Sequence, residues 1–400
     1  MYTVLIEFLS LCFRWLHMIA GMAWIGTSFY FIHLDLMLKP DETAPEGAQG
    51  SAWEVHGGGF YQVIKFMVAP PKLPSHLAWF KWEAYTTWLS GFGLLVVTFY
   101  LNAELLLVDP TVLDLSPAMA IAASIVGLAG GWLAYEALCR SPFGENENTL
   151  AAIGFAFLVA LFFGFSRIFS GRGTFIEMGA LIGTIMVANV FAVIIPNQKK
   201  MIASLLAGDT PDPRLGAEGK QRSVHNNYLT LPVVFLMIGN HYPLMFGTAF
   251  NAVIFAIVLL VGFLIRYFYT FRHAGKPNPW WVWGVVVVLM AIAGWLSWAG
   301  SWAYQQDAAS TPAPVPFTDV QEIVVARCSV CHSPTPVWPG IAAAPKGVYL
   351  DTAERIRAHA ELIQLYAVTT HAMPPANVTE LSDDDRKKLG AGLAQLAMRR

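Results

Sequence analysis

Eight apolar stretches, each long enough to cross the roughly 30 Å of bilayer hydrocarbon, constrain this chain more than any other feature. They fall near residues 6–36, 77–101, 117–139, 150–168, 175–196, 228–248, 250–271 and 280–304. In lipid every backbone N–H and C=O must be satisfied within the protein, so stretches of this length predict helices and exclude an open sheet. Composition agrees: 56% of the 400 residues are hydrophobic and 13% are charged, with mean hydropathy +0.50, outside the range of ordinary soluble domains. The expected fold is all-α, a polytopic membrane helix bundle over residues 1–304 with the lipid bilayer as its surroundings. A net charge of −2 and the lack of a basic run give no footprint for nucleic acid. Met1 to Leu5 carry no positive charge, so the first stretch reads as a retained anchor and not as a cleaved leader.

After Trp302 the character changes. Residues 305–316 include Ser310-Thr311-Pro312-Ala313-Pro314-Val315-Pro316, a Pro-rich linker expected to be semi-extended. Residues 317–400 read as a small polar domain. One helix runs from Phe317 to Arg327, a second covers 352–369, and Ser382 caps a third with Asp383, Asp384 and Asp385 in its first turn.

Inside that domain stands Cys328-Ser329-Val330-Cys331-His332. Two thiols at this spacing on one helical turn can add to the two vinyl groups of a haem, and the adjoining His then lies under the iron as its proximal ligand. A redox dithiol does not need the histidine. A zinc site would need more ligands, and no cysteine follows Cys331. The sixth ligand should lie downstream, where Met373 and Met398 are the two methionines. Met398 sits at a helix end that frays, whereas Met373 precedes Pro374-Pro375, which stiffen a loop. Met373 is the expected ligand, with His371 and His359 as rivals. Methionine ligation raises the iron potential and suits an electron acceptor. Three helices around one covalent haem c in this length is the size of a class I-like cytochrome c. Cys12 and Cys139 lie in apolar segments and read as small buried hydrophobes.

Orientation follows by two routes. Haem is attached to c-type cytochromes outside the cytoplasm, which puts the C-terminal domain in the periplasm and, with eight spans, the N-terminus as well. Alternate connections then carry Lys39, Lys65, Lys72, Arg140, Lys199, Lys200, Arg214, Lys220, Arg222, Arg272 and Lys276 on the cytoplasmic side, against Arg167 and Arg172 opposite. That asymmetry is the positive-inside bias. The expected location is a bacterial inner membrane.

Ionisable residues inside spans are costly and so mark function. Arg14 and His17 share one face of the first stretch, with Gly21 and Gly26 beyond to allow close approach. Two readings stand. In one, His17 ligates a b-type haem and Arg14 pairs with a propionate; in the other, His17 makes an interhelical hydrogen bond and Arg14 snorkels. His33 follows His17 by 16 residues and His241 follows His225 by 16, so antiparallel stretches could level His17 with His241 and His33 with His225. Against that, 16 residues turn a helix by about half a turn beyond whole turns. His56-Gly57-Gly58-Gly59 reads either as an anion nest or as a tight turn. Lys81 and Glu83 open the second stretch among aromatics, and Asn226-Asn227-Tyr228 and Asn240-His241-Tyr242-Pro243 flank the sixth. These are pocket or interfacial residues.

Taken together, Arg14-Trp15-Leu16-His17-Met18, Trp24-Ile25-Gly26, His56 to Tyr61, Trp79 to Trp88, Asn226-Asn227-Tyr228 and His241-Tyr242-Pro243 resemble the bacterial membrane-bound urate oxidase (urate hydroxylase) family. That family joins a multi-span domain to a C-terminal cytochrome c. The resemblance implies oxidation of urate to 5-hydroxyisourate, with electrons leaving through haem c to a downstream periplasmic or membrane acceptor and the respiratory chain. It assigns no urate pocket. A planar anion with several carbonyls needs cationic and amide partners and an aromatic wall, and His56, Lys81, Glu83 and Asn226 are the candidates. The competing function is a membrane-tethered electron carrier without substrate chemistry, for which eight spans with buried Arg and His are excessive.

Overall fold

The computed structural model describes residues 2–66, 70, 72–309 and 315–397, and it is mostly helical. Met398 and residues 310–314 of the linker lie outside the described residues. The first helix, α1 (Tyr2–Met37), is long and peripheral. Its Leu11, Trp15, Met18 and Met22 are exposed, as side chains that face lipid must be.

A hairpin follows where the sequence suggested only a connection: β1 (Ala48–His56) pairs antiparallel with β2 (Gly59–Phe66). Gly57 and Gly58 form its turn at φ +58° and +81°, the left-handed pair that a two-residue hairpin loop requires. The three glycines are therefore a tight turn and its first strand residue, and not an anion nest. The segment leaving α1 is stitched to β1 by reciprocal Lys39–Ser51 backbone bonds of 2.9 Å.

Next come α2 (Trp82–Leu95), which widens into a π-helical turn over Val96–Tyr100, the short α3 (Ala103–Leu106), α4 (Pro117–Arg140), α5 (Glu147–Phe165) and α6 (Gly171–Ala188). A second π-helical turn, Asn189–Ile194, leads into α7 (Ile195–Leu206). Pro196 cannot donate a backbone bond one turn back and its ring crowds that carbonyl, which accounts for the widening. Then follow α8 (Pro213–Gly239), the single turn α9 (Pro243–Phe246), α10 (Asn251–His273) and α11 (Trp281–Ala309). The α6 helix is mostly apolar and central. Phe175, Met178, Leu181, Ile182 and Ile185 are fully enclosed, and Phe162 of α5 stacks on Phe255 of α10 at 4.5 Å.

Among the described residues six helices are long and apolar enough to cross a membrane, where the sequence suggested eight. The second and sixth stretches differ. The α2 helix has 14 residues, with residues 77–81 outside it. The α8 helix starts in polar sequence and ends at Gly239, short of residue 248. Both are nevertheless packed into the bundle, α2 on α1 and α6, α8 on α6 and α10. The α1–α2 contact is close because of glycines on α2: a Cβ at Gly91 would lie 2.7 Å from the His17 ring, and one at Gly93 2.7 Å from Phe13. Gly21 and Gly26, the glycines that the sequence suggested, meet nothing closer than Thr87 at 3.8 Å.

The α11 helix runs to Ala309 and so covers the first part of the expected linker. The C-terminal region contains α12 (Phe317–Arg327), α13 (Ala353–Ala358), α14 (Ala360–Ile363), a π-helical turn over Gln364–Thr369 and α15 (Asp383–Ala397). The expected helix over 352–369 is thus broken at His359, whose Nδ1 meets the Arg355 carbonyl at 2.8 Å. Ser382 accepts from the Asp385 amide at 3.1 Å, as a cap. Val320, Val324, Ile356, Leu381, Leu389 and Leu393 form a separate apolar core.

Candidate functional site

The Cys328–His332 segment is a single turn. The amides of Cys331 and His332 both donate to the Cys328 carbonyl, at 3.2 and 2.9 Å. His332 Nδ1 meets the Val348 carbonyl at 2.9 Å. The carbonyl can only accept, so Nδ1 carries the proton and Nε2 keeps its lone pair for a metal, the second-shell arrangement of ligating histidines. Burial pushes the Cys328 thiol up to about 12 and raises that of Cys331 too. Burial of this kind disfavours the thiolate that a redox dithiol would use. Among the described residues no three His, Cys, Asp or Glu side chains converge as a metal cluster.

Met373 sits on a loop held from both sides. Its amide donates to the Tyr366 carbonyl at 2.8 Å, and buried Arg386 of α15 donates to its carbonyl at 2.9 Å and to that of Ala367. This loop is seated on the membrane domain. The Thr370 carbonyl lies so close to Gly247 that an added Cβ would be 2.5 Å away. Ala372 packs on the main apolar core, and the turn Pro375–Asn377 touches α3. A cavity of about 280 Å³ remains in the seam, lined by Asp109, Arg172, Asn251 and His371 among others. His371 borders it, while burial holds its imidazole down at about 4.

Within the membrane domain two polar nodes meet on α8. Asn226 Nδ2 donates to the Met186 carbonyl at 2.9 Å and its Oδ1 accepts from Asn189 at 2.9 Å. Asn189 also reaches the Tyr135 hydroxyl, which lies 2.7 Å from His225 Nδ1. Beside them Arg222 pairs with Glu136 at 3.0 Å and stacks over Tyr135. On the other side of α8, Asn227 Oδ1 accepts from Arg266 Nε at 2.7 Å, and the guanidinium lies 4.2 Å from the Phe29 ring centroid. A third polar group is Glu177 on α6, which accepts from Ser124 at 2.6 Å.

Asn226 is thus central to one node, but the other three substrate candidates are elsewhere. His56 is exposed at the hairpin turn. Lys81 lies between the Trp79 and Trp82 rings, 5.8 and 5.6 Å from their centroids. Glu83 keeps a buried, unpartnered Oε2. Val187 and Val190 meet Ala84 of α2 while Asn189 faces Asn226, so the end of α6 stands between α2 and the Asn226 node. His17 directs Nδ1 to the Thr87 carbonyl at 2.8 Å, which leaves Nε2 uncommitted. His33 packs on His273 at 4.3 Å and His225 on Tyr135, not on each other. His241 lies within electrostatic reach of Arg14, Arg172 and Lys346, at the end of the bundle that faces the C-terminal region. Sequence reading missed Glu136, Glu177, Asn189, Arg266 and His273. The signal was there for the first four, each a polar or ionisable residue within an apolar stretch; His273 lies just beyond the end of one.

A sequence model described as urate oxidase N-terminal matches residues 3–297. The chain belongs to that family. No curated protein and no solved structure matches it. The match spans α1 through most of α11 and contains every buried polar node, so family membership ties this membrane domain to urate and to oxidoreductase chemistry. Residues 298–400, with the Cys-x-x-Cys-His turn, lie beyond the part that defines the urate oxidase N-terminal family.

Proposed function

We propose that the protein oxidises urate to 5-hydroxyisourate in its membrane domain and passes the electrons to a haem c bound through Cys328 and Cys331, with His332 and Met373 as axial ligands. The reaction balances as urate and water giving 5-hydroxyisourate, two protons and two electrons, so each turnover reduces a one-electron carrier twice. Haem c supplies that one-electron acceptor when bound. The chain's own part is to present His332 Nε2, hold the Met373 loop through Arg386, and bring this loop against the substrate domain. The observation that carries the reading is that seam: the urate oxidase domain and the Met373 loop touch at Gly247 and Thr370. A merely tethered carrier has no need for the contact. In this reading α2 and α8 complete eight spans, the haem side is periplasmic and the hairpin side cytoplasmic.

The residues around His17 also fit a b-type haem on the side of the ligand, since its Nδ1 is committed to Thr87 and its Nε2 is available. Held there it would supply a second one-electron carrier, and a pyridine haemochrome spectrum counts b and c haems separately. The decisive experiment adds urate to isolated membranes and follows reduction of the c-type absorption band. Reduction by urate in the wild type and none in a Cys328→Ala, Cys331→Ala protein is the expected result. A band that dithionite reduces and urate does not would overturn the proposal.

A further inference from the structure

Arg266 is 4% exposed and Asn227 1% exposed, yet neither is saturated. Arg266 Nη2 and Asn227 Nδ2 are buried donors without a partner, while the 2.7 Å bond between Arg266 Nε and Asn227 Oδ1 fixes both groups. Among the described residues no carboxylate pairs with this guanidinium, in contrast to Arg222, which has Glu136. A buried unpaired cation inside an apolar helix is expensive, and a permanent guanidinium cannot escape by losing its proton. The missing component is an anion with acceptors for two adjacent N–H groups.

We propose that Arg266 and Asn227, with Phe29 as an aromatic wall, form the binding site for the planar anionic substrate of the membrane domain. That the anion is urate rests on the function proposed above. Asn227 turns its oxygen to the arginine, which leaves the amide N–H₂ and Nη2 to bind a carbonyl–nitrogen edge of a fused heterocycle. Arg266 precedes His273 by two helical turns, about 10 Å along α10, and Phe29 precedes His33 by one turn on α1. The two imidazoles meet edge to face at 4.3 Å, each with a buried, unpartnered Nδ1. His33 also lies 3.8 Å from Glu54 of the hairpin and is 32% exposed. His33 is thus the part-exposed residue at the hairpin end of the α1–α10 contact, and in this proposal substrate enters from that end.

The test is equilibrium dialysis of labelled urate against detergent-solubilised full-length protein whose haem has been reduced beforehand, so that no turnover occurs. The chief variant is Asn227→Asp, which gives Arg266 a permanent carboxylate partner and preserves the fold. Urate affinity should fall at least about 100-fold, because an internal anion replaces the external one in a desolvated site, while thermal stability holds or rises. Asn227→Ser, smaller and neutral, is the second variant and should weaken binding at least about tenfold through loss of one buried hydrogen bond. Arg172→Gln in the seam cavity should bind as the wild type does. Wild-type affinity in both Asn227 variants, with urate still reducing haem c, overturns this site and leaves the proposed function standing. A wild type that neither binds urate nor is reduced by it overturns both.

Discussion

Gly247 offers a direct test of whether the seam between the two regions matters. Replacing it by valine puts a Cβ 2.5 Å from the Thr370 carbonyl oxygen and 2.9 Å from that of Pro243. The first distance is roughly 1 Å inside ordinary contact, and both obstacles are backbone, so no flexible side chain can yield. Overpacking of this kind costs about 1–3 kcal/mol, and here it is relieved by lifting the 370–376 loop. At the upper end the docked-to-undocked ratio falls about 150-fold. The assay uses a protease site placed between residues 310 and 314. After cleavage, the haem-stained fragment should sediment with wild-type membranes and appear in the supernatant with Gly247→Val. Urate-driven reduction of haem c should fall in parallel, while dithionite reduction and the covalent haem stain are unchanged. Equal retention of both fragments would refute the steric argument. A released fragment that urate still reduces at the wild-type rate would refute the role of the seam.

Met373→Ala should lower the haem c reduction potential and open a coordination site, read by redox titration; an unchanged potential would move the ligand to His371. Tyr135→Phe removes the hydroxyl between His225 and Asn189 and should cost about 1–3 kcal/mol, since it leaves buried polar atoms without partners, as read by thermal unfolding in detergent. Hydroxyls of Ser51 and Thr43 and the Thr43 amide hold the Asp41 carboxyl down at about 2, below its ordinary 3.8. A depressed folded-state value stabilises above the unfolded value and is lost as pH falls through the folded one. Hydrogen exchange at Lys39 and Ser51 should therefore accelerate as pH drops from 4 towards 2 once the intrinsic rate is divided out, and the acceleration should be absent in Asp41→Asn. Gly91→Ala should displace the His17 ring, which a Cβ would approach to 2.7 Å, and so reduce any b haem counted by pyridine haemochrome without changing the c count.

The helical, membrane-spanning character was legible because lipid imposes it: α1, α4, α5, α6, α10 and α11 each advertise themselves by length and apolarity. The α8 helix was legible only in its apolar second half, since Arg222, Asn226 and Asn227 near its middle are buried by partners from α4, α6 and α10 that a local reading cannot see. The hairpin escaped because a long connection rich in glycine reads equally well as a loop; what decides it is the pairing of Ala48–His56 with a strand further along. At the site, spacing found the Cys328–His332 turn and singled out Asn226. It could not find Asn227 with Arg266, because the two residues lie 39 positions apart and only helix packing brings them together. Lys81 and Glu83 drew attention by their charge, yet Lys81 is occupied with two indole rings.

The extension of α11 as far as Ala309 sets a mechanical phase. This one rod leaves the bundle and packs against α15 and the π-helical turn before Met373. Inserting one residue before its contacts with α15 would rotate that contact face by about 100° and advance it about 1.5 Å. A four-residue insertion nearly restores the angle but carries the Met373 loop about 6 Å from its seat. The face that α11 offers to α15 and to the turn Gln364–Thr369 is therefore tied to its length, and with it the place where Thr370 meets Gly247.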